Sequence, residues 1–217
     1  MNIRGLVFDY GNVLSLPAIG GEHEMIARIS GLKPDVLDLH YWNHRRAYDA
    51  GDLDGSAFWN VVARDAATSF TAETISQLIH HDIRMWTGLN PTMVDWALRL
   101  HRSGIRVGVL SNIGEELVVA MEEQFDWLHE LDHNVWSCRV RLTKPDPAIY
   151  KIHPRHFGLT PAEILFLDDR EENVAAARRV GYQAIVFRDV QQLRAELESR
   201  GILNFPAPFE EPVGTPK

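Results

Sequence analysis

Cysteine is nearly absent from this chain. Of 217 residues only Cys138 is one, so an intrachain disulfide is excluded, and so is a cysteine-rich metal site. A reducing, cytoplasmic compartment is the expectation that follows. The first residues, Met1-Asn2-Ile3-Arg4-Gly5, hold no apolar h-region, and no signal peptide is expected. Long apolar runs are missing too. The longest, at residues 117–121 and 164–167, fall far short of the ~18 residues that a membrane span needs. Basic residues are in deficit: 22 Lys+Arg against 30 Asp+Glu leave a net charge of −8. A nucleic-acid surface requires clustered Lys and Arg, so the balance argues against nucleic acid as a partner. A cation-dependent enzyme fits a negative chain better. What is present is ordinary for a globular protein: 45% hydrophobic and 24% charged residues. The length fits one large domain or a core with a small insert.

Along the chain, residues 3–8 read as a short buried strand ending at Asp9. An irregular stretch follows, with Gly11-Asn12, Pro17 and Gly20-Gly21. From about residue 22 to 86 the patterning is helical. Helices are expected over residues 34–48 (stopped by Gly51), 56–66 and 72–86; Ile75, Leu78, Ile79 and Ile83 recur at helical spacing. At residue 88 the texture changes. Asn90-Pro91 is a strong helix start, an N-cap Asn with Pro at the first position. That helix runs to Ser103 and is stopped by Gly104. Strands are expected at 105–110, 136–140, 164–167 and 184–187, and helices at 115–124, 147–157 (kinked by Pro154), 171–180 and 191–200. Strands alternating with helices imply an α/β fold, a doubly wound, Rossmann-like parallel sheet with helices on both faces. The helical block is then an all-helical cap inserted after the first strand. The division is residues 1–16 and 88–217 as the core, 17–87 as the cap, and a Pro-rich tail from about 205.

In open parallel sheets the site lies beyond the carboxyl ends of the strands. Four polar groupings fall there: Asp9; Ser111-Asn112; the loop Thr143-Lys144-Pro145-Asp146; and Asp168-Asp169. Asp9, Asp168 and Asp169 with Lys144 and Ser111 bring three carboxylates, one ammonium and one hydroxyl into a crevice. Clustered carboxylates repel unless a cation joins them, and hard oxygen ligands suit Mg²⁺. A carboxylate can also act as a nucleophile. Lys144 can neutralise a transferring group; Ser111 and the backbone N–H groups near Asn112 and at the Gly11-Asn12 turn can hold phosphoryl oxygens. Taken singly, Asp9 could cap a turn, Ser111-Asn112 could form one, and Lys144 could be an exposed loop lysine. The four in this order are a strong signal for phosphoryl chemistry.

These residues resemble the motifs of the haloacid dehalogenase-like hydrolase superfamily. Phe8-Asp9-Tyr10-Gly11-Asn12-Val13-Leu14 is similar to its first motif and Val109-Leu110-Ser111-Asn112 to the second. Lys144-Pro145-Asp146-Pro147-Ala148-Ile149-Tyr150 is similar to the third, and Phe166-Leu167-Asp168-Asp169 with Asn173 to the fourth. The form of the first motif, with Ala50-Gly51-Asp52 in the cap, looks most like the sugar-phosphate phosphatases, especially α-glucose-1-phosphate phosphatases. The phosphatase domain of bifunctional epoxide hydrolases is also similar. The resemblance implies a Mg²⁺-dependent phosphatase acting on a small phosphorylated metabolite, with cap closure selecting the substrate. It makes Asp9 the nucleophile that becomes an aspartyl-phosphate, with Ser111 and Lys144 holding the phosphoryl group and Asn12 and Asn112 beside it. It places Mg²⁺ on Asp9, the carbonyl of Gly11 and a motif-four carboxylate, with Asp169 as direct ligand and Asp168 as its partner. Two rival readings are a metal-independent 2-haloacid dehalogenase and a catalytically weak phosphate- or partner-binding protein.

Gly11 departs from the family pattern, in which a second Asp two residues after the nucleophile is the general acid/base. Such a group contributes about 10²–10⁴-fold, so the substrate is expected to carry a good leaving group, such as an anomeric sugar phosphate or an acyl phosphate. Arg141 stands where Gly is frequent; it reads as a surface residue, the alternative being added charge near the site. His40/His44 and His129/His133 are spaced i, i+4, a spacing that can bind metal, but no further ligand is evident and they read as surface residues. Trp42, Trp59, Trp86 and Trp96 read as packing residues. His44, Arg45, Arg46 and Asp52 flank the Gly51 turn; the resemblance turns it toward the site, and a solvated helix face is the competing reading for the two arginines. Cys138 reads as a small buried apolar side chain.

Overall fold

The structure, a computed structural model, describes residues 2–18 and 20–202. The expected Pro-rich tail from about 205 lies outside the described residues. The chain opens with β1 (Gly5–Phe8), then runs through α1 (Gly20–Ser30), α2 (Pro34–Asp49), α3 (Gly55–Asp65) and α4 (Ala72–Trp86). It continues with α5 (Pro91–Arg102), β2 (Arg106–Ser111), α6 (Glu115–Gln124), α7 (Trp127–Glu130), β3 (His133–Trp136), α8 (Ser137–Val140) and α9 (Ile152–Phe157). It closes with β4 (Ile164–Asp168), α10 (Glu171–Val180), β5 (Gln183–Val186) and α11 (Val190–Ser199). The strands form one sheet in the order β3-β2-β1-β4-β5, every pair parallel.

Near-continuous apolar runs build this sheet because both of its faces are covered. Successive residues feed opposite sides. Leu6, Phe8, Val107, Val109, Leu165 and Leu167 join a core with Trp96, Leu100 and Leu193 from α5 and α11. Val7, Leu110, Ile164 and Phe166 join a second core with Tyr150, Val174 and Ala177. The doubly wound arrangement expected from the alternation is therefore present, and β1 stands at its centre.

Helices α1–α4 enclose a third core of their own, around Tyr41, Tyr48, Phe58, Trp59, Val62 and Leu78. Their starts follow ordinary capping chemistry. Asp54 accepts the amide of Ala57 at 2.7 Å, and Thr71 accepts that of Thr74 at 3.1 Å. The chain enters and leaves this layer side by side. Leu16 N–H donates to the Gly88 carbonyl and Asn90 N–H to the Leu14 carbonyl, both at 2.8 Å. Among the described residues no helix is long and apolar enough to cross a membrane.

Two local expectations need correction, and one helix had no signal of its own. The strand expected over residues 136–140 lies earlier, at His133–Trp136, paired with Gly108–Ser111. Its polar start, Asp132-His133-Asn134, hides it: β3 is a sheet edge, so polar side chains are tolerated, and Asn134 Nδ2 caps the Leu128 carbonyl at 2.8 Å. Beyond Trp136 the chain turns into α8 because Ser137 is drawn into cross-links described below. Helix α1 had no separate signal within the helical block. The helix expected over 147–157 is a short 3-10 turn (Ile149–Lys151) followed by α9, with Pro154 buried within its six residues.

Candidate active site

The carboxyl ends of β1, β2 and β4 converge, and the loop after α8 reaches the same point. Asp9 follows β1 directly, and its amide extends the ladder to the Leu167 carbonyl at 2.8 Å. Its Oδ1 accepts the Tyr10 amide at 2.7 Å and lies 2.8 Å from Lys144 Nζ. Lys144 Nζ also lies 2.6 Å from Asp168 Oδ2. Asp168 Oδ1 and Oδ2 accept from Asn173 Nδ2 at 2.9 and 3.1 Å, and Oδ1 also accepts the Arg170 amide at 2.9 Å. Both oxygens of Asp168 are thus engaged by donors. Asp169 differs: Oδ2 accepts from Asn12 Nδ2 at 2.8 Å, and Oδ1 has no hydrogen bond among the described residues.

Local conformation explains these positions. Asn12 has φ 57°, a left-handed turn that short polar residues tolerate, and its amide N–H is held by Ser15 Oγ at 3.1 Å. The turn aims the Asn12 side chain across at Asp169. Asn112 clamps the lysine loop reciprocally: Lys144 N–H donates to Oδ1 at 2.8 Å, and Nδ2 donates to the Lys144 carbonyl at 2.9 Å. The Asn112 side chain is therefore committed to placing Lys144. Ser111 ends β2, is 3% exposed, and its hydroxyl has no partner among the described residues.

Electrostatics follow from burial. Burial pushes the Asp9 carboxyl up to about 8; Lys144 lowers it, and the charges of Asp168 and Asp169 raise it again. The Lys144 ammonium is held above the usual lysine range: burial opposes its charge, but Asp168 and Asp9 outweigh that opposition. Oxygens of Asp9, Asp168 and Asp169 lie within 4.8 Å of one another, the one such grouping of metal-ligating side chains among the described residues. An all-oxygen donor set of this kind suits a hard divalent cation such as Mg²⁺. The residues present thus fit the ion, with Asp9 and Asp169 offering oxygens that no donor occupies.

Above this cluster lies a cavity of about 730 Å³, bounded below by Asp9, Ser111 and Lys144 and above by Trp42, Arg45 and Asp49 of α2. Here the structure corrects two further readings. Trp42 is 57% exposed at the cavity rather than packed in a core. Arg45 is buried, not on a solvated face: Nε donates to Asp49 Oδ1 at 2.9 Å, Nη1 donates to Tyr41 Oη, and Asp82 lies 3.4 Å away. Arg46 is exposed and lines the same cavity. Tyr41, Arg45 and Asp49 form one i, i+4 row on α2, a polar stripe that spacing alone could have exposed. Asp82, on α4, had no such signal.

The helical layer is fastened over the cavity. Glu116 accepts from Tyr48 Oη at 2.8 Å and from the Gly55 amide at 2.5 Å. Ser137 Oγ donates to the Asp49 carbonyl at 2.6 Å and accepts the Ile113 amide at 2.8 Å. Arg141 has an exposed side chain, as expected, yet it reaches the Gly51 carbonyl at 2.9 Å and Asp52 at 2.6 Å. Gly51 has φ 73°, and a Cβ there would lie 2.4 Å from the Cys138 carbonyl oxygen. Cys138 is buried, and burial pushes its thiol up to about 12, as an inert apolar residue requires. Of the spaced histidines, His44 pairs with Asp65 at 2.8 Å, His129 meets the Glu122 carbonyl at 3.0 Å, and His133 stacks on His156.

A parallel α/β sheet carries a carboxylate–ammonium–carboxylate chain at the floor of its cavity, with a helical layer fastened above. The model of the haloacid dehalogenase-like hydrolases matches residues 3–181, and the chain belongs to that family. It is 26% identical to bifunctional epoxide hydrolase 2 of Sus scrofa over 91% of this chain, but spans only 39% of that protein. It is 35% identical to flavin mononucleotide hydrolase 1 of Arabidopsis thaliana over 30% of this chain and 27% of that one. Its fold is shared with a HAD family enzyme of Bacteroides thetaiotaomicron solved with magnesium and inorganic phosphate (TM-score 0.68, 18% identity, 88% and 99% of the two chains).

Proposed function

We propose that the chain is a Mg²⁺-dependent phosphatase that hydrolyses a small phosphorylated metabolite, a sugar phosphate in the first instance, through an aspartyl-phosphate on Asp9. One observation carries this reading. The buried Lys144 ammonium and the unpartnered Ser111 hydroxyl stand beside Asp9 and the three-carboxylate cluster, on one floor of one cavity. That is the inventory for holding a phosphoryl group against a carboxylate nucleophile. The cavity is the size of a small-molecule site, with room for the remainder of a metabolite beyond its phosphate. The magnesium and phosphate complex of the Bacteroides neighbour and the name of the flavin mononucleotide hydrolase support the same class.

The residues act as follows. Asp9 Oδ1 is fixed by the Tyr10 amide and Lys144, which leaves Oδ2 to attack phosphorus. Lys144 Nζ and Ser111 Oγ donate to phosphoryl oxygens. Asp168 and Asn173 hold Lys144 in place, and Asn12 orients Asp169. Asp9, the Gly11 carbonyl and Asp169 would hold Mg²⁺, which would neutralise charge on the phosphoryl group when bound. Gly11 itself offers no proton donor to the leaving oxygen.

The test is phosphate release from a panel of sugar phosphates, acyl phosphates and nucleotides, with Mg²⁺ and with EDTA, against Asp9→Asn. Metal-dependent release that vanishes in Asp9→Asn is expected. Chloride release from 2-chloropropionate in EDTA, with no phosphate release from any ester, would instead identify a dehalogenase and overturn the reading.

A further inference from the structure

Protonation of the departing oxygen is the one step for which the strand ends supply no group. Asp9 is spent as nucleophile, both oxygens of Asp168 are engaged, Lys144 is clamped between two carboxylates, and Gly11 has no side chain. The roof of the cavity holds another acid. Asp49 ends α2 and is 8% exposed. It lines the same cavity as Asp9, Ser111 and Lys144. Arg45 Nε holds its Oδ1 at 2.9 Å, and its Oδ2 has no hydrogen bond among the described residues. The backbone is pinned as well: the Asp49 carbonyl accepts from Ser137 Oγ, and Ser137 Oγ in turn accepts the amide of Ile113, two residues beyond Ser111. The Ser137 hydroxyl therefore ties the Asp49 backbone to the segment just beyond the phosphoryl-binding serine.

Resting on the phosphatase reading above, we propose that Asp49 is the general acid and base of this site, supplied by the helical layer in place of the side chain that Gly11 lacks. In the first half-reaction Asp9 Oδ2 bonds to phosphorus, the bond from phosphorus to the leaving oxygen breaks, and the Asp49 proton passes to that oxygen, releasing an alcohol. In the second, Asp49 as carboxylate takes a proton from water as the water oxygen bonds to phosphorus and the bond to Asp9 breaks. Phosphate leaves, and Asp49 is protonated again.

The surroundings suit this role. Burial raises the Asp49 carboxyl above the usual range, with Asp82 adding to the rise, while Arg45 and Lys144 oppose it. Arg45 needs no charge from Asp49, because Asp82 also faces it and is bound by Tyr41 Oη at 2.6 Å. Asp49 can thus carry a proton without stranding the buried guanidinium. Proton delivery from α2 also makes chemistry conditional on the helical layer being seated, which the Ser137 and Glu116 links secure.

The experiment compares kcat/KM of the Mg²⁺-loaded protein and Asp49→Asn on a poor leaving group, glucose 6-phosphate, and a good one, 4-nitrophenyl phosphate. Asp49→Asn keeps an oxygen for Arg45 Nε. A positioned acid contributes about 10²–10⁴-fold, so the variant is expected to lose at least tenfold more on the sugar phosphate than on the aryl ester. Adding Gly11→Asp to that variant restores the sugar-phosphate rate. Equal losses on both substrates, or none, would overturn the inference. If Asp49→Asn does not fold, the wild-type protein decides. A shallow dependence of kcat/KM on leaving-group pKa across alkyl and aryl phosphates is expected; a steep one overturns Asp49 as acid. Absence of phosphate release from every ester by folded wild-type protein would instead remove the phosphatase reading beneath it.

Discussion

Lys144 Nζ lies 2.6 Å from Asp168 Oδ2, and the two side chains are 1% and 0% exposed. A buried pair of this kind costs desolvation to form, and its value lies in what it fixes. Here it holds the ammonium against Asp9 as well, so that one cation serves the carboxylate at the end of β1 and the one at the end of β4.

Removing that cation strands both carboxylates. Lys144→Met is expected to destabilise the metal-free protein by about 3–5 kcal/mol. The deficit is smaller at pH 5 than at pH 8, because protonation relieves the stranded charges. Urea unfolding at the two pH values measures it; equal deficits would refute the account.

Asp9 makes stability depend on pH in a defined direction. Its carboxyl is raised, chiefly by burial, from 3.8 to about 8. Within that window the native protein holds a proton that the unfolded chain has released, so the metal-free protein loses stability as pH rises. Asp9→Asn abolishes this loss, and its Tm advantage over wild type in EDTA grows between pH 5 and pH 8. Protons and cation compete for the same carboxylate, so Mg²⁺ raises Tm more at pH 8 than at pH 6. Thermal unfolding across pH, with Mg²⁺ or EDTA, checks both trends.

Gly11 is not required by geometry. Its φ is −61°, and a Cβ there meets nothing within 4 Å. Gly11→Asp is expected to change stability by less than about 1 kcal/mol. In the Asp49→Asn background it should also shift preference from sugar 1-phosphates toward 6-phosphates, since an acid matters most for poor leaving groups. An unchanged ratio of the two kcat/KM values would show that leaving-group protonation does not limit turnover.

The seam between α2 and α6 is tight. A Cβ on Gly114 would lie 2.2 Å from the Tyr48 ring, and Glu116 joins Tyr48 to the start of α3. Gly114→Ala is expected to cost about 1–3 kcal/mol through overpacking, and Glu116→Ala a similar amount by leaving the Gly55 amide unpaired. Both should raise KM, as seating of the roof is impaired. Urea melts and steady-state kinetics on the best panel substrate provide the measurement.

Much of the fold was legible in the chain because its signals are local. The apolar runs before Asp9, Ser111 and Asp168 need no distant partner to read as buried strands, and Asn90-Pro91 caps α5 as written. Strand β3 was misplaced because an edge strand begun by Asp, His and Asn carries no such run. The strand-end residues Asp9, Ser111, Lys144, Asp168 and Asp169 do gather at one place. The i, i+4 spacing of the polar row on α2 is readable in the chain but its burial is not, since a buried arginine is spelled like a solvated one.

The amino-acid order alone sets the alternation of strands and helices, and hence the parallel sheet and the crevice at its carboxyl ends. It also determined the residue types there: three carboxylates, one ammonium and one hydroxyl. How these are divided depends on the folded arrangement. Asp168 is saturated by Lys144 and Asn173, while Asp169 keeps a free oxygen. Asn112 serves the Lys144 backbone, and Arg45 is buried between Asp49 and Asp82, from helices α2 and α4. The physical reason is that hydrogen-bond and ion-pair partners lie between 24 and 157 residues apart for Lys144–Asp168 and Asn12–Asp169. Periodicity reports which way a side chain faces along its own element; it does not report what another element places opposite.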